Sequence, residues 1–197
     1  MVLGFHVVIT AYGFWLPNDP RGSWSEFVRS WELVRFGKAT KVHTRRSVTS
    51  VPHDQNARRA AKRSLKYPPV HFSGVQARAI GRGFTEFVAR SGITVWACVI
   101  LPEHAHLVIA RHDYPVERAV NLLKGQSTRQ LTQEGVHPLA MFSTSAGRLP
   151  KMWGRGHWKV YLDSDSEIRR AIRYVQDNPA KEGKRPQRWS FVTPFDG

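Results

Sequence analysis

The chain has 197 residues, 41% hydrophobic and 11% aromatic, which is enough to bury a core and form one domain spanning residues 1–197. Thirty Lys and Arg against fifteen Asp and Glu leave a formal charge of +15 and a sequence pI near 10.8, so the expected partner is a polyanion. Cys98 is the only cysteine and lies in an apolar run, which excludes a disulfide framework and a cysteine-built zinc site. No apolar run approaches the roughly 18 residues of a membrane helix, and the start, MVLGFHVVITAYG, lacks a signal-peptide pattern. A bacterial-type cytoplasmic, nucleoid-associated protein is expected.

In chain order, Phe5 to Thr10 (FHVVIT) is a β-branched run closed by Tyr12 and Gly13 and reads as a first strand. From about residue 13 to 73 the chain carries Pro17, Pro20, Pro52, Pro68 and Pro69, with Trp15, Trp24 and Trp31 among basic residues. This stretch reads as a basic insertion, mostly loop with short helices. Within it Asp54 to Lys66 has helical spacing. Arg58, Lys62 and Lys66 fall at i, i+4, i+8 with Arg59 and Arg63 beside them, a cationic face with no acidic residue of its own. Like charges so placed repel one another unless an anion neutralises them, though a solvated helix face reads the same way. Ser73 and Gln76 form a capping box for a helix whose apolar stripe is Ile80, Phe84, Phe87 and Val88 and which ends near Gly92.

Ile93 to Leu101 (ITVWACVIL) is apolar on both alternating faces, as in a central strand, and Pro102 and Glu103 turn it into a second strand, His104 to Ala110. Pro115 opens a further helix with Val116, Ala119, Val120 and Leu123 inward and Gly135 beyond its end. Trp158 to Leu162 is the last strand. Ser164 and Glu167 then cap a helix striped by Ile168, Ala171, Ile172 and Val175, expected to end at Asn178 because Pro179 disfavours helix in the residue before it. A basic, aromatic tail follows from about residue 181 to 197. This order predicts an α+β domain, an antiparallel-rich sheet with helices on one face in the ferredoxin-like manner.

His104 and His106 are spaced i, i+2 in a strand, so both imidazoles leave one face while Ala105, Leu107 and Ile109 point into the other. Two ligands pointing one way can share a metal. The spacing also suits two half-buried polar residues on a sheet surface; the placement straight after a tight Pro-Glu turn favours the ligand pair. In the last helix, at about 100° per residue, Tyr174 falls off the centre of the apolar stripe and Asn178 lies one turn below it. A tyrosine at a core boundary can simply be amphipathic. It can also attack a phosphodiester, because a phenolate near a cation is a competent nucleophile and the phosphotyrosine product retains the bond energy needed for rejoining. A divalent metal would neutralise charge on the phosphate and align it for in-line attack, with two imidazoles and one oxygen ligand suiting Mg²⁺ or Mn²⁺.

These residues resemble the single-tyrosine HUH transposases, especially the REP-associated tyrosine transposases. ILPEHAHLVIA is similar to the family's histidine strand with its proline turn, NLLKGQSTRQL to the following helix, and IRRAIRYVQDNP to the C-terminal helix with its tyrosine and Asn-Pro ending. With FHVV, the match spans roughly residues 3–13 and 92–183. The resemblance implies a ferredoxin-like HUH fold, a metal bound by His104 and His106, and a 5′-phosphotyrosine link through Tyr174 with release of a 3′-hydroxyl. Asn178 lies where the family places a third polar ligand, a place for which Gln176 and Glu103 compete. It implies single-stranded DNA with hairpin or palindromic structure as substrate, and relatives often act as dimers, which makes a homodimer an expectation to test. Arg58, Arg59, Lys62, Arg63, Lys66, Lys124, Arg170, Arg173, Lys184, Arg185 and Arg188 are the expected DNA contacts. The segment GFWLPNDPRGSW departs from the compact family members and either clamps unpaired bases or packs the insertion. A DNA-binding protein of the same fold without catalysis, a replication or conjugative nickase, and a metal-dependent nuclease without a covalent intermediate are the alternatives.

Overall fold

A computed structural model describes residues 1–14, 16, 31–37 and 54–197. The chain forms β1 (Gly4–Thr10), α1 (Trp31–Val34), α2 (Gln55–Arg63), α3 (Gly74–Ser91), β2 (Val95–Ile100), β3 (His104–Ala110), α4 (Val116–Gln133), a 3-10 turn at Ala140–Phe142, β4 (Trp158–Leu162) and α5 (Asp165–Lys181). The four strands make one sheet in the order β2-β3-β1-β4, every pairing antiparallel. Thr10 pairs with His104 and Val8 with both His106 and Trp158. The most β-branched strand, β1, therefore lies inside the sheet, where branched side chains pack well on a pleated surface.

Strand alternation divides the core in two. Val7, Ile9, Ala105, Leu107 and Ile109 face Ile80 and Phe84 of α3 and Val120 and Leu123 of α4. Ala97, Val99, Val108 and Leu162 face the opposite way, onto Ile168, Ala171 and Val175 of α5. The expectation of helices on one face is thus corrected: α3 and α4 cover one face and α5 the other. The physical reason lies in β2, whose two apolar faces each need cover from water.

Where α3 and α4 approach, a Cβ on Gly83 would stand 2.7 Å from Ser127 Cα and 3.0 Å from the Gln126 carbonyl oxygen, both backbone atoms. Gly83→Ala should force the helices apart and cost roughly 1–3 kcal/mol by overpacking. The urea midpoint reads this directly, and an unchanged midpoint would mean that the two helices slide freely at this crossing. The α3 capping box is formed as expected, with Gln76 N–H donating to Ser73 Oγ and Ser73 N–H to Gln76 Oε1, and Gly92 closes the helix at φ 69°.

Ser164 accepts the Glu167 N–H to start α5, while the Glu167 carboxylate takes the Asp163 N–H. The helix does not stop at Asn178. It runs through Pro179 to Lys181. A proline this close to the end forfeits one backbone bond, and the burial of the apolar Pro179 ring acts against that loss.

The tail lies along the outer edge of β2. Ile100 N–H donates to Gln187 Oε1 and Gln187 Nε2 donates to Ile100 O, both at 2.8 Å, and Thr193 N–H donates to Val95 O at 2.9 Å. Trp189 lies over Gly81, and Phe195 meets Trp96 edge-on at 4.9 Å. The aromatic residues of the tail thus serve packing and cover a strand edge. In the insertion, Leu16, Leu33 and Ala61 form a small separate cluster with Phe36 and Leu65. Trp15, Trp24 and the rest of GFWLPNDPRGSW except Gly13, Phe14 and Leu16 lie outside the described residues, as do Pro17, Pro20, Pro52 and the side chain of Trp31. Among the described residues no helix is long and apolar enough to cross a membrane.

Candidate active site

His104 and His106 stand on the α5-facing side of β3, as their spacing predicts, with ring centroids 4.8 Å apart. The same face of β1 presents His6, which sequence reasoning did not single out. His6 pairs with Val108 in the register, so His106 is its diagonal neighbour, within reach of a long side chain. Its Nε2 lies 3.1 Å from His106 Nδ1. The signal for His6 was a lone polar residue in a β-branched strand, and its meaning depends on a pairing between residues 100 positions apart.

Tyr174 of α5 packs its ring against both imidazoles, with centroids 5.6 Å from His6 and 5.7 Å from His106. It remains 43% exposed, so a ligand can reach it. Lys181 Nζ lies 4.5 Å from the centre of the Tyr174 ring, placing a cation beside the phenol. Trp158 meets His6 edge-on at 5.2 Å, and the Phe14 ring lies 5.0 Å from His104.

Burial pushes His6 down to about 4 from its usual range. Burial likewise holds His106 well below the usual histidine value, and the charges of His104, His6 and Lys181 add to this. Both imidazoles are therefore neutral at neutral pH, the form that carries a lone pair. A stability consequence follows with a definite sign. Because the folded value of His6 lies below the unfolded one near 6.5, the unfolded chain binds more protons between those values, and stability falls as pH drops from about 6.5 to about 4. At roughly 1.4 kcal/mol per unit the loss from His6 is on the order of 3 kcal/mol. Urea titrations in EDTA across this window should show a shallower acid loss in His6→Leu; equal slopes would contradict the assignment.

Asn178, one turn after Tyr174, is buried, and its Nδ2 has no hydrogen-bond partner among the described residues. Amide oxygen and nitrogen are interchangeable by a flip, so the same position can present Oδ1. Gln176 is exposed, and Glu103 is ion-paired with Lys62 at 3.4 Å and lies 3.4 Å from His71 Nδ1. Among the described residues no group of three or more His, Cys, Asp and Glu forms a metal cage. The candidate donors are the imidazoles of His104 and His106 and the Asn178 amide. His106, held neutral by burial, shares a strand face with His104, and the buried Asn178 amide, whose Nδ2 has no partner among the described residues, adds a third donor of a kind that fits a divalent cation with open positions.

The expected DNA contacts fall into three groups. Arg58, Arg59 and Lys62 line a half-open groove of about 330 Å³ with Gln55, while Arg63 and Lys66 are exposed. The cationic face is not without an acidic partner, since Lys62 reaches Glu103; that pair ties α2 to the turn preceding His104. Arg170 and Arg173 are exposed on α5 beside Tyr174, and Lys184, Arg185 and Arg188 are exposed beyond it. Lys124 differs. It is buried and donates to Gly154 O at 3.0 Å and to Gly156 O, so its ammonium fastens the turn before β4. Burial lowers it only to about 8, which leaves it charged at neutral pH.

No protein-family model and no curated protein matches the sequence. Among solved structures, the chain is similar to a REP-associated tyrosine transposase bound to a REP hairpin, at 12% identity and a TM-score of 0.48, covering 92% of this chain and 68% of that one. It is also similar to a protein provisionally assigned as a transposase from Deinococcus radiodurans, at 11% identity and a TM-score of 0.39, covering 89% of this chain and 92% of that one.

Proposed function

We propose that this chain cleaves and rejoins single-stranded DNA at hairpin or palindromic elements, as a single-tyrosine enzyme of the HUH type on a ferredoxin-like domain. The observation that carries the reading is the convergence of Tyr174 from α5 with His106 from β3 and His6 from β1 on one sheet face, where the histidines are buried and Tyr174 is exposed. The strand order β2-β3-β1-β4 supports the ferredoxin-like arrangement, and the +15 charge supports a nucleic-acid partner.

In this reading the Tyr174 hydroxyl oxygen attacks a backbone phosphorus. An oxygen–phosphorus bond forms, the bond to the 3′ oxygen breaks, the phenol proton leaves to solvent, and the departing oxygen takes a proton from solvent to become a 3′-hydroxyl. The 5′-phosphotyrosine is then open to attack by another 3′-hydroxyl, which restores the DNA strand and the free tyrosine. His104, His106 and Asn178 would hold a divalent cation such as Mg²⁺ or Mn²⁺, which when bound supplies charge neutralisation at the phosphate oxygens. Lys181 stands beside the phenol ring, and Arg170 and Arg173 extend the positive field along α5.

The test is a denaturing gel of protein incubated with Mn²⁺ and labelled single-stranded hairpins taken from both sides of its own gene. Label migrating with the protein, and chased from it by an added 3′-hydroxyl strand, is the expected result. Hydrolysed DNA without an adduct would point to a nuclease, and salt-sensitive binding without cleavage to a DNA-binding protein.

A further inference from the structure

We infer that His6 positions His106: His6 Nε2 accepts the Nδ1–H of His106 and so fixes the tautomer in which His106 Nε2 keeps its lone pair for the site. The two nitrogens are 3.1 Å apart, and the two residues are only 7% and 6% exposed, so little water can substitute for either partner. Between two neutral imidazoles in this contact one nitrogen carries the proton and the other does not. Were the proton on His6 Nε2, His106 would carry its own proton on its outer nitrogen and become a donor, unable to ligate a cation. The arrangement with the proton on His106 Nδ1 is the one general to metal-binding histidines, whose second nitrogen donates to a fixed acceptor.

The surroundings of His6 suit that role. Its ring is stacked on His106 with an interplanar angle of 26°, the edge-on Trp158 contacts it at 5.2 Å, and Tyr174 contacts it at 5.6 Å. Three rings thus pack around His6 with its Nε2 aimed at His106 Nδ1. A buried imidazole in the middle of a β-branched strand is also a poor way to fill space, since a valine like its neighbours would pack there with no polar atom to satisfy. His6 touches Tyr174 as well, so the same acceptor links the nucleophile's ring to the orientation of His106. This inference rests on the proposed metal-dependent reaction for its purpose, while the tautomer itself is a property of the metal-free protein.

Long-range proton–nitrogen correlation spectra of the metal-free protein, labelled with ¹⁵N, should show His106 protonated at Nδ1 and bare at Nε2, and His6 bare at Nε2. The reverse pattern overturns the proposal. Titration of Mn²⁺ followed by its free-ion EPR signal should show affinity lower by roughly 10–100-fold in His6→Leu, the usual size of an outer-shell effect. His6→Gln, whose side-chain oxygen can accept in place of the ring nitrogen, should recover most of that loss. Equal Mn²⁺ affinity in wild type and His6→Leu overturns the positioning role. Wild-type protein with the stated tautomer but no Mn²⁺ affinity would instead sink the metal part of the proposed function, with the tautomer assignment upheld.

Discussion

Tyr174→Phe should abolish the protein–DNA adduct, a loss of roughly three orders of magnitude or more in the rate of its formation, as for removal of a covalent nucleophile. Binding of the same hairpin should change by less than about twofold, because the substitution removes one hydroxyl and keeps the ring that lies 5.6 Å from His6 and 5.7 Å from His106. Stability should be equally unmoved, since the residue is 43% exposed. Gel-shift titrations and denaturing gels on one preparation measure both properties. An adduct that survives would move the nucleophile elsewhere, and the structure limits the choice. Tyr161 is 48% exposed, but it stands beside Phe5 on the sheet face covered by α3 and α4. Tyr12 and Tyr67 pack against each other and against the same core. Tyr174 alone among these shares a face with the histidines.

Much of this site was readable from the sequence because each part obeys a short-range period. The two-residue period of a strand puts His104 and His106 on one face whatever the rest of the chain does, and the helical period places Tyr174 and Asn178 one turn apart. His6 was not readable in the same way. Its partner lies 100 residues on, and only the register of β1 against β3 brings the two rings together. Lys62 and Glu103 are another such case, separated by 41 positions yet ion-paired, which is why the cationic face of α2 looked unopposed in sequence. Lys124 shows a different gap. Charge alone says that a lysine seeks water, but three donors on a long stem can be satisfied by backbone carbonyls, and here Gly154 and Gly156 supply them. The placement of α5 followed from information that was present: β2 is apolar on both faces, and one layer of helices cannot cover both.

His106→Ala separates the chemical role of the histidines from their structural one. His106 is 6% exposed, so truncation removes packed volume and strands the His6 nitrogen 3.1 Å from where its partner stood. Leaving a buried polar atom unpaired costs about 1–3 kcal/mol, and the lost packing adds to it. His104 is only half-buried, so His104→Ala should cost less stability. Both variants should nevertheless lose adduct formation by a similar factor, on the order of 10² or more, because each removes one of two imidazoles that would hold the same cation. The pairing of unequal stability with equal loss of chemistry is what a shared metal demands. A purely structural role would instead rank activity by stability, with His104→Ala the milder in both. Chemical denaturation and adduct assays at saturating Mn²⁺, run well below either variant's melting temperature, tell these apart. Wild-type cleavage in either variant would remove that histidine from the ligand set and leave the Lys181 ammonium, 4.5 Å from the ring centre, as a cation beside Tyr174.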